Sequence, residues 1–121
     1  MLERDYSGMR AYCQSKLAQI LFTFALADEL ADSGVTATCL HPATHMPTKM
    51  VRSPISTLEE GVAATLRLAA DPALEGVNGE YFSGTRETRA DAQAYDSNAR
   101  RRLAAISAQL VSLHMTDTPT A

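Results

Sequence analysis

The chain has 121 residues, a length that suits one domain with a single hydrophobic core. Hydrophobic residues make up 45% of it and charged residues 21%, which excludes a disordered or collagen-like chain. With 14 acidic and 11 basic residues the formal net charge is −3, so the protein offers no basic surface to nucleic-acid phosphates, and nucleic acid is excluded as a partner.

The cysteine content and the apolar runs of the sequence indicate the cellular compartment of the protein. Cys13 and Cys39 are too few for a disulfide framework, and their spacing from the histidines fits no zinc motif, so we expect reduced thiols and no metal site. The charged amino terminus leads into no signal-peptide core. The longest apolar run, residues 17–27, falls short of the roughly 20 residues that cross a bilayer. The sequence therefore predicts a cytoplasmic protein with no membrane partner.

The first predicted element is a long helix from Met9 to about Asp32, a stretch without proline or glycine. Its apolar residues occupy more than one side, so we expect it to be covered on more than one side. Gly34 supplies the stop. Residues 35–40 are short, rich in β-branched residues and apolar on both faces, which predicts a strand buried in a parallel sheet.

Residues 41–56 are predicted to form an irregular loop, because three prolines remove backbone donors there. Thr57 and Glu60 then have the spacing of a capping box, which predicts a helix up to about Ala70, ended by Asp71 and a following proline.

Asn78 and Gly79 signal a turn, and residues 80–83 are a second strand candidate. The rest is predicted to be helical, with a break at residues 96–97, up to a polar and disordered tail at residues 116–121. This order indicates an α/β class with about two strands and three or more helices, since parallel strands need a helical crossover. Two strands cover too little apolar area to be stable alone, so we expect further sequence to complete the sheet.

Tyr12 and Lys16 are the residues whose chemistry is most informative. Four residues apart on a helix, their side chains share one face. A nearby positive charge favours the phenolate form of a tyrosine, which creates a general acid and base for a carbonyl or an alcohol. The spacing alone is a weak motif, and a packed Tyr12 beside an exposed Lys16 is the alternative.

The wider sequence resembles the short-chain dehydrogenase/reductase family, particularly its retinol-dehydrogenase-like members. The resemblance is carried by residues 12–18, Tyr-Cys-Gln-Ser-Lys-Leu-Ala, and by residues 34–42, which end in His-Pro. It continues through residues 60–63, residues 79–82 and the final helix. The matches follow in the family's order and cover nearly the whole chain.

The resemblance implies a doubly wound Rossmann sheet, of which residues 1–115 form the carboxyl-terminal half. It implies an oxidoreductase that uses NAD or NADP and acts on an alcohol or a ketone. Tyr12 would then donate or accept the proton, and Lys16 would bind the nicotinamide ribose. In such proteins the helix that carries this pair also helps to form a dimer interface, which implies a homodimer.

By similarity, the loop after the first strand lines the nicotinamide through Pro42, Ala43, Thr44 and His45, with Thr48 offering its hydroxyl to the cofactor. Two positions depart from the family pattern: Ala43 stands where glycine is commoner, and Thr48 comes one residue late, which leaves Thr44 as its competitor. The alternative is that these residues only shape a polar loop.

The family's glycine-rich phosphate-binding turn and its catalytic serine have no counterpart among these 121 residues. Three hypotheses follow: a fragment of a full dehydrogenase that is inactive alone, a non-catalytic dimerisation or interaction module, and one half of a split enzyme. The residues that select NAD over NADP have no counterpart here either.

Overall fold

The structure, a computed structural model, describes residues 5–49 and 52–116. These residues form three α-helices, two short 3-10 helices and one three-stranded sheet, so the class is α/β as predicted. The helices are α1 (Gly8–Glu29), α2 (Leu58–Ala70) and α3 (Ser97–Thr116), and the strands are β1 (Cys39–His41), β2 (Tyr81–Ser83) and β3 (Arg86–Glu87).

The sheet is mixed, with β2 in its centre. β1 and β2 pair in parallel, with Leu40 opposite Phe82, and α2 lies between them in the chain. This is the crossover connection that the order of elements predicts. β2 pairs with β3 in antiparallel fashion, with Ser83 opposite Arg86.

The prediction of helix for the chain after residue 84 is wrong for its first part. Gly84 and Thr85 form a two-residue hairpin turn, in which Gly84 has a φ of 59°, a left-handed conformation that costs glycine little. The chain therefore returns along β2 as β3 and then forms a 3-10 helix, Ala92–Tyr95, before α3. Helix α3 runs to Thr116, where the predicted tail begins, and residues 117–121 of that tail lie outside the described residues.

The first strand is shorter than the predicted residues 35–40. The backbone N–H of Ala37 donates to Asn78 Oδ1 at 2.8 Å, and the Ala37 carbonyl accepts from the Gly79 N–H at 2.8 Å. Asn78 and Gly79, in the turn before β2, thus bind the backbone N–H and C=O of Ala37, which would otherwise pair with a neighbouring strand. Regular strand pairing begins only at Cys39. Because β1 is an edge strand of the described sheet, its residues are half-buried or exposed rather than enclosed.

Helix α1 carries much of the core on its buried face. Phe24 packs with Ala90 and Ala94 in one cluster, and its ring lies 5.3 Å from that of Tyr95, centroid to centroid. The cluster extends to the sheet through Leu17, Ile20, Cys39 and Tyr81. A salt bridge of 3.0 Å between Asp28 and Arg100 joins the end of α1 to α3. The buried residues of α1, Leu21, Phe24 and Ala27, lie on one face, and Phe22 is 63% exposed, so the described residues do not bury the helix on more than one side as expected.

Helix α2 begins with the predicted capping box. Thr57 Oγ1 accepts from the Glu60 N–H at 3.1 Å, and Glu60 Oε2 accepts from the Thr57 N–H at 2.9 Å. The helix ends at Ala70, where Asp71 is extended and Pro72 opens a 3-10 turn. Among the described residues, no helix combines the length and the hydropathy needed to span a membrane.

Asn78 joins α1 to the entrance of β1, and its removal should destabilise the protein. Its Nδ2 donates to the Ala27 carbonyl at 3.0 Å, while its Oδ1 accepts from the Ala37 N–H. Asn78→Ala leaves both part-buried groups unpaired, so we expect urea denaturation to show a loss of about 1–3 kcal/mol in unfolding free energy. The control Asn98→Ala, on the surface of α3, should cost less than about 0.5 kcal/mol. Equal losses would contradict this role of Asn78.

Candidate active site

Tyr12 and Lys16 lie one turn apart in the first half of α1, and their side chains contact each other. The Lys16 Nζ lies 5.5 Å from the centroid of the Tyr12 ring, which is a cation–π contact. Ser15 donates its hydroxyl to the Tyr12 carbonyl at 2.7 Å, so that hydroxyl serves the helix itself. Tyr12 is 61% exposed, which contradicts the alternative of a packed tyrosine. The phenol and the ammonium are therefore both open to a ligand on this face.

The loop that follows β1 is held in shape by three polar contacts around Thr44. His41 Nε2 lies 3.2 Å from Thr44 Oγ1. The Thr44 N–H donates to Ser56 Oγ at 3.1 Å, and the Ser56 N–H donates to the Thr44 carbonyl at 2.8 Å. Thr44 thus closes the base of the loop, and its hydroxyl is already engaged.

The other residues predicted to face the cofactor differ in exposure. Pro42 and Ala43 are half-buried, whereas His45 and Thr48 are exposed. His45 has a φ of 47°, a left-handed conformation that is uncommon outside glycine, asparagine, aspartate and histidine. The Thr48 hydroxyl makes no hydrogen bond within residues 5–49 and 52–116. It is therefore free to bind a ligand, unlike that of Thr44.

The predicted site residues form two groups. One is the Tyr12–Lys16 pair on α1, and the other is the loop from Pro42 to Thr48. Across the described part of the chain no hydrogen bond, salt bridge or ring contact joins the two groups. The functional role of each residue stays a prediction.

Sequence reasoning missed two residues that hold the loop. Ser56 bonds Thr44 through both its side chain and its backbone. Gly61, buried in α2, leaves the space that the Met46 side chain fills. Gly61 itself carried a usable signal, because a glycine inside a helix costs about 1 kcal/mol relative to alanine and often has a packing reason.

Cys39 and Tyr81 face each other across β1 and β2, and the surrounding structure disfavours the charged form of both. Burial raises the pKa of the Cys39 thiol above its usual 9.0, against a smaller opposing effect of a hydrogen bond with Thr23. Burial, followed by the charge of Cys39, raises the pKa of Tyr81 above its usual 10.0. Both groups are therefore neutral packing residues at neutral pH.

Stability should fall in alkaline solution because of these two residues. Their pKa values are higher in the folded than in the unfolded state. The two side chains therefore contribute fully to the free energy of unfolding below about pH 9, and this contribution is lost as the pH rises through the pKa values of the folded state. We expect the Tm to fall more steeply from about pH 9 to about pH 11 in the wild type than in Cys39→Ala/Tyr81→Phe. Cys13→Ala, which removes an exposed thiol, is the control and should keep the wild-type slope. An unchanged slope in the double variant would disprove the assignment.

Known proteins similar to this chain include retinol dehydrogenase 13 of Mus musculus, 39% identical over 93% of the chain, and retinol dehydrogenase 12 of Homo sapiens, 34% identical over 92%. The WW domain-containing oxidoreductase of Homo sapiens is 33% identical over 90%. The chain spans 39% of the length of either retinol dehydrogenase and 30% of the third protein. No family model and no solved structure matches the chain. The similarity to these proteins covers about nine tenths of the chain and confirms the resemblance, so the chain belongs to the short-chain dehydrogenase/reductase family and is similar to its retinol-dehydrogenase-like members.

Proposed function

We propose that the chain supplies the proton-transfer pair and the nicotinamide-facing loop of an NAD(P)-dependent oxidoreductase acting on an alcohol or a ketone. The observation that carries the proposal is the contact between Lys16 and Tyr12 on one exposed face of α1. The Tyr12 phenol can give a proton to a carbonyl oxygen or take one from an alcohol. Lys16 places a positive charge 5.5 Å from the centroid of the same ring.

The side chains of both groups fit the nicotinamide end of the cofactor. The Lys16 ammonium suits ribose hydroxyls, and the Thr48 hydroxyl suits the carboxamide. Thr44 is the weaker candidate for that contact because His41 already holds its hydroxyl. A bound nicotinamide supplies or accepts the hydride, and the protein contributes position and the proton.

The topology supports a common site for the two groups. Helix α1 precedes β1, and the Asn78 side chain bonds both Ala27, near the end of α1, and Ala37, just before β1. The end of the helix thus lies beside the start of the strand, so the two run antiparallel. The first half of α1, with Tyr12, then lies toward the carboxyl end of β1, where the loop begins. Ligands of open α/β sheets bind at that edge. We therefore propose that residues 1–115 form the carboxyl-terminal half of a doubly wound Rossmann sheet.

The phosphate-binding turn and the serine that polarises the substrate would come from other sequence, in the same or a second polypeptide. This follows from the six glycines of the chain, which do not match the family's turn in order or spacing. The proposal therefore includes that the 121-residue chain alone shows no turnover. Steady oxidation of NADPH by the purified chain with a ketone would contradict this part of the proposal.

We also propose that the protein is cytoplasmic, and cell fractionation tests this location.

The site can be tested in the chain by itself with nicotinamide mononucleotide, which lacks the half of the cofactor that the missing turn would bind. We expect weak binding, with a Kd of about 1–10 mM, seen as amide shifts in NMR spectra of the 15N-labelled chain at Tyr12, Lys16, His45 and Thr48. AMP, the other half of the cofactor, is the control and should shift none of these signals. Equal shifts with both ligands, or none with either, would refute the proposed site.

A dimerisation module is the second candidate function, and one observation favours it. The groove between α1 and α3 has a volume of ≈ 400 Å³, and Phe22 at its edge is 63% exposed. Met9 and Tyr12 are also exposed on α1. If α1 pairs with a second copy, light scattering should give the mass of a dimer for the wild type and a smaller mass for Phe22→Asp. A monomeric wild type would remove this candidate.

A further inference from the structure

Backbone hydrogen bonds close the base of the loop after β1. At its base, the Ser56 N–H donates to the Thr44 carbonyl at 2.8 Å, and the Ile55 N–H donates to the His45 carbonyl at 3.0 Å. These two bonds bring residues 44–45 and 55–56 side by side. The capping box at Thr57 then begins α2 immediately after the base. The loop is thus tied to the start of α2 by backbone contacts.

A second connection joins the loop to α2 through Met46 and Gly61. A Cβ placed on Gly61 would overlap the Met46 Sδ and would lie 3.3 Å from its Cε. Gly61 is buried, and Met46 is half-buried. Glycine inside a helix is unfavourable by roughly 0.5–1 kcal/mol relative to alanine. The helix accepts that cost at a point where the Met46 side chain reaches its backbone.

The residues next to Met46 have little freedom to adjust. His45 has left-handed backbone angles, and the Thr48 N–H donates to the Met46 carbonyl at 2.8 Å, which closes a tight turn. A displacement of Met46 therefore moves His45 on one side and Thr48 on the other. Both residues are exposed and belong to the proposed nicotinamide-facing loop.

We propose that Gly61 is a seat for the Met46 side chain, and that this contact positions His45 and Thr48 for the cofactor. Gly61 and Met46 are positioning residues, because they act on the cofactor site only through His45 and Thr48. The effect on the cofactor rests on the proposed function, whereas the effect on loop shape does not. Any side chain at position 61 should displace the loop even though it would strengthen α2 as a helix.

The experiment compares wild type, Gly61→Ala, Met46→Ala and the double variant, all as the full chain. We expect Gly61→Ala to shift the amide signals of His45, Thr48 and Ser56, and to speed tryptic cleavage after Lys49 and Arg52 about tenfold, because a displaced loop opens more often. Met46→Ala loses the contact without creating an overlap, so we expect it to open the loop less than Gly61→Ala does. The double variant removes the overlap, so its cleavage rate should fall back to that of Met46→Ala. Such a rescue is not expected if Gly61→Ala merely destabilises α2.

Gly8→Ala is the matched control, since it makes the same change at the start of α1, where the nearest atom, the Tyr6 hydroxyl oxygen, lies at 3.8 Å. It should leave the loop signals and the cleavage rates unchanged. Wild-type loop signals in Gly61→Ala, or a double variant that opens as much as both single variants combined, would overturn the proposal. Titration with nicotinamide mononucleotide separates the two claims. Loop displacement without binding by the wild type would refute the proposed function and leave the Met46 seat standing.

Discussion

If this chain is joined to a glycine-rich phosphate turn, as the proposed function requires, Tyr12→Phe is expected to lower turnover of a ketone by about 100-fold to 10,000-fold. The substitution removes the proton that the phenol gives or takes and keeps the ring on which Lys16 rests. Cofactor affinity should therefore change little, while kcat falls. Steady-state kinetics with a ketone, together with cofactor titration by fluorescence, measure both quantities.

Tyr6→Phe is the control for this substitution. Tyr6 is also an exposed tyrosine, and it precedes α1. Among the described residues, Lys16 makes its cation–π contact with Tyr12 and not with Tyr6. Loss of the Tyr6 hydroxyl in this variant should leave kcat unchanged. A loss of only about twofold for Tyr12→Phe, or similar losses for both variants, would remove Tyr12 from the role of proton donor and acceptor.

Local patterns in the sequence were sufficient for several elements of the fold. The capping box at Thr57 and Glu60 depends on residues three apart, and α2 begins there. The end of α2 at Ala70 is likewise predicted from adjacent residues, Asp71 and Pro72. The parallel pairing of β1 and β2 followed from the order of elements, because a helical crossover leaves few other arrangements. The shared face of Tyr12 and Lys16 followed from helical geometry.

Contacts between residues distant in sequence were not predictable in the same way. Residues 35–38 have the composition of a strand, yet Asn78, about 40 residues later, takes the N–H of Ala37. The hairpin at Gly84 was missed although a glycine at the first turn position is a usable signal. The contact between Met46 and Gly61 depends on how the loop folds over α2, and no pattern within the loop encodes it.

Phe82→Ala should destabilise the fold more than Asn78→Ala or any truncation on the surface. Phe82 is 1% exposed, it lies in the middle of β2, and it pairs with Leu40 on one side and Glu87 on the other. Truncation of a buried phenylalanine to alanine costs about 3–5 kcal/mol, because apolar burial is lost and a cavity remains. Domains have net stabilities of roughly 5–15 kcal/mol, so this loss takes a large share of the total.

Phe22→Ala provides the matched control, since the same atoms are removed from a residue that is 63% exposed on α1. Urea denaturation followed by circular dichroism should show a loss of less than about 1 kcal/mol for this variant. If Phe82→Ala does not fold at all, Phe82→Leu keeps most of the volume and should cost about 1–2 kcal/mol, still more than the surface truncation. Because β2 is the strand through which both β1 and β3 are held, equal losses at positions 82 and 22 would mean that the sheet is not the centre of the core.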